Sequence, residues 1–182
     1  MIIYIDGYWQ CSYYFDDLNN DYKNMFKFNN IRPEVKKYAD YLREHHSVAI
    51  HVRRGDYSKN KLFYSRLKQI GDKYYKNAIE YMEKKNSDCT FYLFSNNLND
   101  SKKMILGVSN ININIINDLM ELNAQEEWYL MSNCRHQIIG NSTFSWWAAY
   151  LNHYEEKIVI APNEYMGNDD IIPEEWIKIE VG

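Results

Sequence analysis

The stretch SVAIHVRRGDY, residues 47–57, joins an apolar run to two arginines, a glycine and an acid. The run from Val48 to Val52 is interrupted only by His51, and it predicts a buried strand of the kind found in parallel sheets. The charges fall where this strand ends and a loop begins. Open α/β sheets bind their ligands beyond the carboxyl ends of their strands. The stretch therefore predicts both a class of fold and the place of a binding site.

Strand-length apolar runs alternate with helical periodicity along the rest of the chain. The predicted strands are 2–5, Ser47–Val52, Thr90–Ser95, 111–116, 136–139 and 157–161. The first predicted helix is 33–43, and the second is capped by Asp72 and has Tyr75, Ala78, Ile79 and Met82 on one face. The third is capped by Asn123 and runs through 128–131. In the fourth, Phe144, Trp147, Ala148 and Leu151 recur at helical spacing. This alternation predicts an α/β fold, a Rossmann-like, mostly parallel sheet with helices on both faces.

Composition limits the function classes that fit. The 182 residues, 46% of them hydrophobic, suffice for one core and one compact domain. A net charge of −4 argues against nucleic acid as the partner, because that binding needs a basic surface. No signal peptide or membrane span is visible, which predicts a location in the cytoplasm, including the inner face of the membrane. The three cysteines, Cys11, Cys89 and Cys134, lack metal-ligand spacing and predict reduced thiols.

Arg53 and Arg54 are the candidate cations for an anionic ligand. If the strand continues, their side chains alternate faces, so only one of them should point into the crevice and hold phosphate oxygens. Asp56 is placed to orient one guanidinium by a charge-assisted hydrogen bond. An ordinary salt bridge at the strand end explains these residues equally well. The adhesion tripeptide Arg-Gly-Asp is disfavoured, because it lies beside a buried strand in a chain with no visible export signal.

A second candidate site is GNSTFSWWAAYLN, residues 140–152. Gly140 and Asn141 lead from a strand into a helix whose first turn offers unpaired backbone N–H groups and the positive end of the helix dipole. This is a suitable place for an anion. Hydroxyl groups of the same turn come from Ser142, Thr143 and Ser145. The alternative is an ordinary helix cap with the aromatic residues in the core, which we favour for the aromatic residues.

Together, an arginine at one strand end and a helix N-terminus at another predict a pyrophosphate-binding crevice. The usual phosphate-loop patterns Gly-x-x-x-x-Gly-Lys and Gly-x-Gly-x-x-Gly are missing from the sequence, and so is an Asp-x-Asp pair for a metal. Arginine would then have to neutralise the leaving group itself.

Four stretches resemble a known family: HVRRGDY at 51–57, FYLFSNN at 91–97, LMSNCRHQIIGNSTFSWWAAYLN at 130–152 and KIVIAP at 157–162. They resemble the bacterial α-1,2-fucosyltransferases of glycosyltransferase family 11, as does the opening IDGYWQCSYYF. The resemblance implies transfer of L-fucose from GDP-fucose to the 2-hydroxyl of a galactose-terminated glycan acceptor, with inversion and with no metal or cofactor. It also implies the donor-binding half of a GT-B type glycosyltransferase.

The resemblance further implies roles for individual residues. Arg53 would bind the β-phosphate and act with Asp56 in catalysis, while His51 would face the nucleotide. Asp56 is the nearest candidate for the base that the acceptor hydroxyl needs, although orienting arginine suits it better. The expected donor-binding residues are His51, Arg53, Arg54, Asn141, Ser142, Thr143 and Ser145.

Two departures from the family pattern limit what the resemblance implies. Asn96 and Asn97 stand where an acid pair is usual, and the Gly-Asn-Gln segment that opens family members is absent. We therefore expect residues 1–30 to be the remnant of a missing N-terminal half and residues 31–182 to be the GDP-fucose-binding domain. Self-association, or a partner protein that supplies the N-terminal half, would then complete the enzyme. The alternative is an inactive module that binds GDP or a GDP-sugar; an unrelated nucleotide-binding domain is a third interpretation.

Overall fold

The computed structural model describes residues 4, 6, 11–14, 26–54, 70–108, 111, 113–165 and 169–182. The strands of this part are β1 (Ser47–Val52), β2 (Thr90–Ser95), β3 (Ile113–Ile115), β4 (His136–Ile138), β5 (Val159–Pro162) and β6 (Ile177–Ile179). The helices are α1 (Pro33–Glu44), α2 (Asp72–Lys85), α3 (Leu98–Val108), α4 (Ile116–Leu119), α5 (Ala124–Asn133) and α6 (Thr143–Tyr150), with short 3₁₀ turns at Ser12–Tyr14 and Asp169–Ile171. Within the described ranges, no helix is long and apolar enough to cross a bilayer.

The six described strands form one sheet in the order β3-β2-β1-β4-β5-β6, and every neighbouring pair is parallel. On the central strand β1, Val48 pairs with Phe91 of β2 on one side and with His136 of β4 on the other. The strand order therefore reverses between β1 and β4. This is the order of a doubly wound Rossmann-like sheet, which confirms the predicted fold class.

Helices cover both faces of the sheet. Val48, Ile50 and Val52 of β1 pack in one cluster with residues of α2 and α3. Ala49, between them in sequence, packs on the opposite face with residues of α1, α5 and α6. Because successive strand residues point to opposite faces, the position of a residue on β1 decides which helices it meets.

Local sequence explains where the helices begin. Asn123 caps α5, as predicted, and its side chain accepts the backbone N–H of Glu126 while the Glu126 side chain accepts the N–H of Asn123. In α2 the cap is Gly71, so the predicted cap at Asp72 is wrong by one residue. The Asp72 carboxylate instead accepts the N–H of Lys73 at 2.8 Å within the first turn.

Several element boundaries differ from the sequence prediction. The strand predicted at 111–116 is shortened to β3, because the chain turns into α4 at Ile116. The helix α3 and the strand β6 were missed: α3 contains Gly107, a poor helix former, and β6 is a three-residue edge strand that depends on its pairing with β5. The strand predicted at 2–5 lies outside the described residues except for Tyr4.

Candidate functional site

β1 and β4 end side by side at the carboxyl edge of the sheet, at the point where the strand order reverses. Ligands of open α/β sheets bind in the crevice outside such a reversal. β1 leads into Arg53 and Arg54, and β4 leads into the turn that opens α6. The structure thus brings the two motifs that the sequence singled out to the same crevice.

These two chain segments lie close together at Gly140. A Cβ atom at this position would lie 2.8 Å from the Tyr75 hydroxyl oxygen and 3.1 Å from the His51 carbonyl oxygen. The Tyr75 hydroxyl donates to the same His51 carbonyl at 3.0 Å. Because a side chain would have to displace one of these groups, glycine keeps the end of β1 in contact with the turn before α6.

The two adjacent arginines differ in the groups with which they interact. The backbone N–H of Arg54 donates to Asn96 Oδ1 at 2.9 Å, and its guanidinium contacts the sulfur of Met104 on α3. The charge of Arg53 instead acts on the pKa of His51 and of Glu127, as a second cause after burial. That the Arg53 side chain points to the face of the sheet opposite to that of Arg54 stays a prediction from strand geometry.

His51 is a buried imidazole, 3% exposed, whose ring centroid lies 5.8 Å from that of Phe144 on α6. Burial, with the Arg53 charge as a second cause, lowers the pKa of His51 to about 3, so the ring is neutral near neutral pH. Its Nδ1 atom has no hydrogen-bond partner among the residues that the structure describes. Buried polar atoms usually have partners, so this nitrogen can meet a polar group of a ligand.

The N-terminus of α6 completes the crevice. Ser142 is the N-cap residue, and its N–H donates to the Gly140 carbonyl at 2.8 Å, but its side chain makes no capping hydrogen bond within the described part of the chain. Asn141 is buried and Thr143 is half-buried. The first N–H groups of a helix have no helical acceptor and carry a partial positive charge. This turn can therefore bind an anion.

Ser145 and Trp146 point inward from α6. The Ser145 hydroxyl is fully buried and donates to the Ser142 carbonyl at 3.2 Å. Trp146 is also fully buried, and its Nε1 donates to the Ile171 carbonyl at 2.8 Å. Ser145, which the sequence placed among the donor-binding residues, is thus buried, and its role in binding stays a prediction, while Phe144 and Trp147 are half-buried.

Two residues of the first turns of α5 were missed by the sequence reasoning. The Trp128 Nε1 donates to the Phe144 carbonyl at 3.0 Å and so ties α5 to the first turn of α6. Glu127 is a half-buried carboxylate; burial raises its pKa, and the Arg53 charge opposes that effect. The capping signature at Asn123 located the start of this helix, but nothing in the sequence showed that the helix is bonded to the first turn of α6.

Asn96 and Asn97, the residues that replace the usual acid pair, have structural partners. Besides the bond from Arg54 to Asn96, the Asn97 side chain donates to Asp100 Oδ2 at 2.8 Å at the start of α3. Both amides thus shape the edge of the sheet beside the crevice. Asp56, predicted to orient an arginine or to act in catalysis, lies outside the described residues, as do Gly55 and Tyr57.

The remaining chemistry-bearing side chains do not form a second centre. In the described ranges, no three His, Cys, Asp or Glu side chains are grouped to hold a metal ion. The three cysteines are free. Burial raises the pKa of Cys89 to about 11 and raises that of Cys134 further, so both remain thiols at neutral pH.

A parallel sheet of this order, with an arginine and a helix N-terminus at its point of reversal, defines a Rossmann-like protein whose crevice suits an anionic ligand. The chain belongs to glycosyl transferase family 11, which matches residues 1–180. The family resemblance stated from the sequence motifs is thereby confirmed.

Named relatives are bacterial and vertebrate. The chain is 34% identical to an alpha-1,2-colitosyltransferase of Escherichia coli and 28% identical to the O-antigen biosynthesis glycosyltransferase WbnK of the same organism, in each case over 96% of this chain and 61% of the relative. It is 28% identical to human galactoside alpha-(1,2)-fucosyltransferase 1 over 72% of this chain and 34% of that protein. The chain thus spans about three fifths of the length of its bacterial relatives. No solved structure matches it.

Proposed function

We propose that this chain binds GDP-fucose and transfers L-fucose to the 2-hydroxyl of a galactose-terminated glycan, with inversion and without a metal ion. The family and the names of the relatives support a glycosyl transfer of this kind. The observation that supports the proposal is that β1, which leads into Arg53, and β4, which leads into the N-terminal turn of α6, end side by side where the strand order reverses. Residues 31–182, which hold all the described strands, would be the donor-binding half of a GT-B enzyme.

Different residues of the crevice would bind the nucleotide and the diphosphate. Arg53 and the first turn of α6, with Ser142 and Thr143, would bind the phosphate oxygens, and the neutral His51 would face the nucleotide. As the sugar–phosphate bond breaks, negative charge develops on the departing oxygen, where a guanidinium and helix N–H groups stabilise the transition state more than the ground state. Asp56 would orient arginine from the loop that follows β1.

Two donor sugars are compatible with the relatives. The mammalian relatives are named as fucosyltransferases, whereas the bacterial relative at 34% identity is named as a colitosyltransferase. A colitosyl donor is therefore the second candidate. Calorimetry and transfer assays with both nucleotide sugars would rank them, since the preferred donor should bind more tightly and be consumed faster.

A second candidate function is an inactive module that holds GDP or a GDP-sugar. The chain spans 61% of the length of each of the two bacterial relatives, so acceptor contacts that those relatives make through the rest of their length are not represented in these residues. Positioning of the acceptor hydroxyl near the anomeric carbon supplies a large share of the rate of such transfers. A chain that lacks acceptor contacts should therefore bind the donor far better than it transfers the sugar.

Calorimetry with GDP-fucose, followed by a transfer assay on lactose, tests these proposals. Binding with transfer supports the enzyme, binding without transfer supports the module, and absence of binding contradicts both. A chelator should leave the affinity unchanged, because arginine and the helix N-terminus are expected to neutralise the diphosphate. A strict requirement for Mg²⁺ would contradict this part of the proposal.

A further inference from the structure

The first turn of α6 receives a hydrogen bond from a neighbouring helix. The Trp128 indole N–H of α5 donates to the Phe144 carbonyl at 3.0 Å. Phe144 is the second residue of α6, so this oxygen belongs to the turn that opens at the crevice. A carbonyl oxygen has two lone pairs, and a helix uses one of them for the N–H four residues later. The indole bond therefore adds to the bonding of the helix itself and ties the position of this turn to α5.

Trp128 is itself held in place. Phe28, from the chain before α1, packs on its ring with a centroid distance of 4.9 Å. The start of α5 is fixed by Glu126, a carboxylate 1% exposed, which accepts from Arg32 Nε at 2.7 Å and from Arg32 Nη2 at 2.9 Å. The same carboxylate closes the capping box with Asn123. The indole donor therefore comes from a helix whose position is well defined.

The turn that opens α6 also lies against the end of β1. A Cβ atom on Gly140 would come 3.1 Å from the His51 carbonyl oxygen, and the Phe144 ring centroid lies 5.8 Å from that of His51. His51 is 3% exposed, and its Nδ1 atom has no partner among the described residues. Buried polar atoms usually have partners, so this nitrogen indicates a ligand beside the turn. The turn is thus in contact with both the end of β1 and the indole of α5.

We propose that Trp128 is a positioning residue, whose indole N–H holds the first turn of α6 where its backbone N–H groups bind the donor phosphate oxygens. This inference rests on the proposed function. The partial positive charge of a helix N-terminus is confined to the first turn, so a small displacement of that turn weakens its contact with a phosphate. Donors that are held in place before the ligand arrives also avoid the cost of being ordered on binding.

Trp146 offers a matched comparison. Its indole N–H also donates to a backbone carbonyl, that of Ile171 at 2.8 Å, and its ring is fully buried in the cluster that contains Tyr165 and Trp176. Ile171 ends the 3₁₀ turn Asp169–Ile171, which the proposed function does not place in the crevice. Loss of either indole bond should lower stability, whereas only loss of the Trp128 bond should release the first turn of α6.

A loss of affinity for phosphate separates a positioning role from a purely structural one. GDP and guanosine share the nucleoside and differ in the phosphates that the first turn of α6 would bind. A variant whose fold is loosened throughout should bind both compounds less tightly. A displaced first turn should weaken the binding of GDP and leave that of guanosine unchanged.

Calorimetry with GDP and with guanosine tests this assignment. We expect Trp128→Phe, which keeps a ring but removes the N–H, to weaken GDP binding about 3- to 10-fold and to change guanosine binding less than about 2-fold. The control Trp146→Phe should lower the midpoint of urea unfolding at least as much, because its ring is fully buried, and should change neither affinity. Phe28→Ala keeps the indole N–H but removes its packing, and should weaken GDP binding by a smaller factor with the same selectivity.

Two outcomes for Trp128→Phe would overturn the positioning role. Equal losses of GDP and guanosine affinity would show a general loosening, and an unchanged GDP affinity would show that the indole bond serves stability alone. If Trp128→Phe does not fold, Phe28→Ala decides in the same way: a selective loss of GDP affinity supports the role, and any other result contradicts it. If the unmodified chain binds no GDP, the proposed function and this inference fail together. If it binds GDP and the loss is not selective, only the positioning role fails.

Discussion

His51 and His136 are both buried histidines on neighbouring parallel strands, but they lie at opposite edges of the sheet. At the amino edge, His136 Nδ1 accepts the N–H of Ile158 at 3.0 Å, and Nε2 lies 3.4 Å from Asn86 Nδ2. At the carboxyl edge, His51 Nδ1 has no partner in the described part of the chain. The amino edge therefore uses its imidazole to hold the fold, whereas the imidazole at the carboxyl edge has a buried nitrogen that we propose meets the ligand.

The two ends of α6 differ in the same way. At its C-terminus, Lys157 Nζ donates to the carbonyls of Ala149, Tyr150 and Asn152 at 2.8, 3.1 and 2.9 Å. At its N-terminus, the Ser142 side chain makes no capping bond among the described residues. A cation satisfies the negative end of the helix, and the positive end is left to meet an anion. The stabilising contacts and the proposed binding groups thus lie at opposite edges of one sheet.

The largest expected effect concerns the two arginines at the end of β1. Arg53→Ala should weaken GDP-fucose binding roughly 10- to 100-fold, about 1.5–3 kcal/mol, because a charged contact to phosphate is lost. Arg54→Ala should cost much less affinity, since its guanidinium lies against Met104 on the other face. Calorimetry on both variants makes the comparison, and equal losses with both folds intact would contradict the assignment.

Gly140→Ala tests the contact that holds the two sides of the crevice together. The added methyl group would meet the Tyr75 hydroxyl and the His51 carbonyl, so the free energy of unfolding should fall by about 1–3 kcal/mol and donor affinity should fall with it. The control is Gly107→Ala in α3, where a Cβ meets nothing within 4 Å and helix propensity should add up to about 1 kcal/mol. Urea unfolding measures the free energy of unfolding of both variants. Similar changes in the two would show that position 140 is not in close contact with Tyr75 and His51.

Replacing each histidine by phenylalanine should separate stability from binding. His136→Phe leaves the Ile158 N–H without its acceptor and should lower the free energy of unfolding by about 1–3 kcal/mol, with donor affinity retained. His51→Phe removes a buried nitrogen that lacks a described partner, so stability should change by less than about 1 kcal/mol while donor affinity falls. If urea unfolding showed the larger loss of stability for His51→Phe and calorimetry the larger loss of affinity for His136→Phe, the roles assigned to the two edges would be reversed.

At neutral pH the smallest effect is the pH dependence that the two histidines share, and it grows as the pH falls. Both have a pKa near 6.5 in the unfolded chain, whereas burial lowers the folded values to about 3 for His51 and about 4 for His136. The unfolded chain therefore binds more protons, and the free energy of unfolding should fall as the pH drops below about 6.5, by up to about 1.4 kcal/mol per pH unit for each histidine. Above about pH 4.5 the ion-paired Glu126 adds little, because its pKa is lowered from 4.5 to about 2.

Urea titrations of the unmodified protein and of His136→Phe between about pH 7 and about pH 5 measure this slope. In His136→Phe the free energy of unfolding should depend less steeply on pH, because only the His51 contribution remains. Identical slopes would mean that His136 does not titrate on unfolding as its burial requires.

Sequence alone determined the alternation of strands and helices, the cap at Asn123, and the two motifs at the ends of β1 and β4. These features are local, because periodicity and capping depend on residues within a few positions of one another. They were enough to predict a Rossmann-like sheet and an anion-binding crevice. The alternation of Arg53 and Arg54 was predicted from strand geometry, and for Arg53 it stays a prediction.

Only the tertiary structure decided which groups meet. The placement of β1 beside β4, the contact of Arg54 with Met104 and the hydrogen bond from Trp128 to the Phe144 carbonyl all join residues from different elements. No local pattern encodes such pairs, because the strand order and helix packing that create them follow from burying both faces of the sheet at once. The short strand β6 was missed for the same reason, since its stability comes from pairing with β5 rather than from its own three residues.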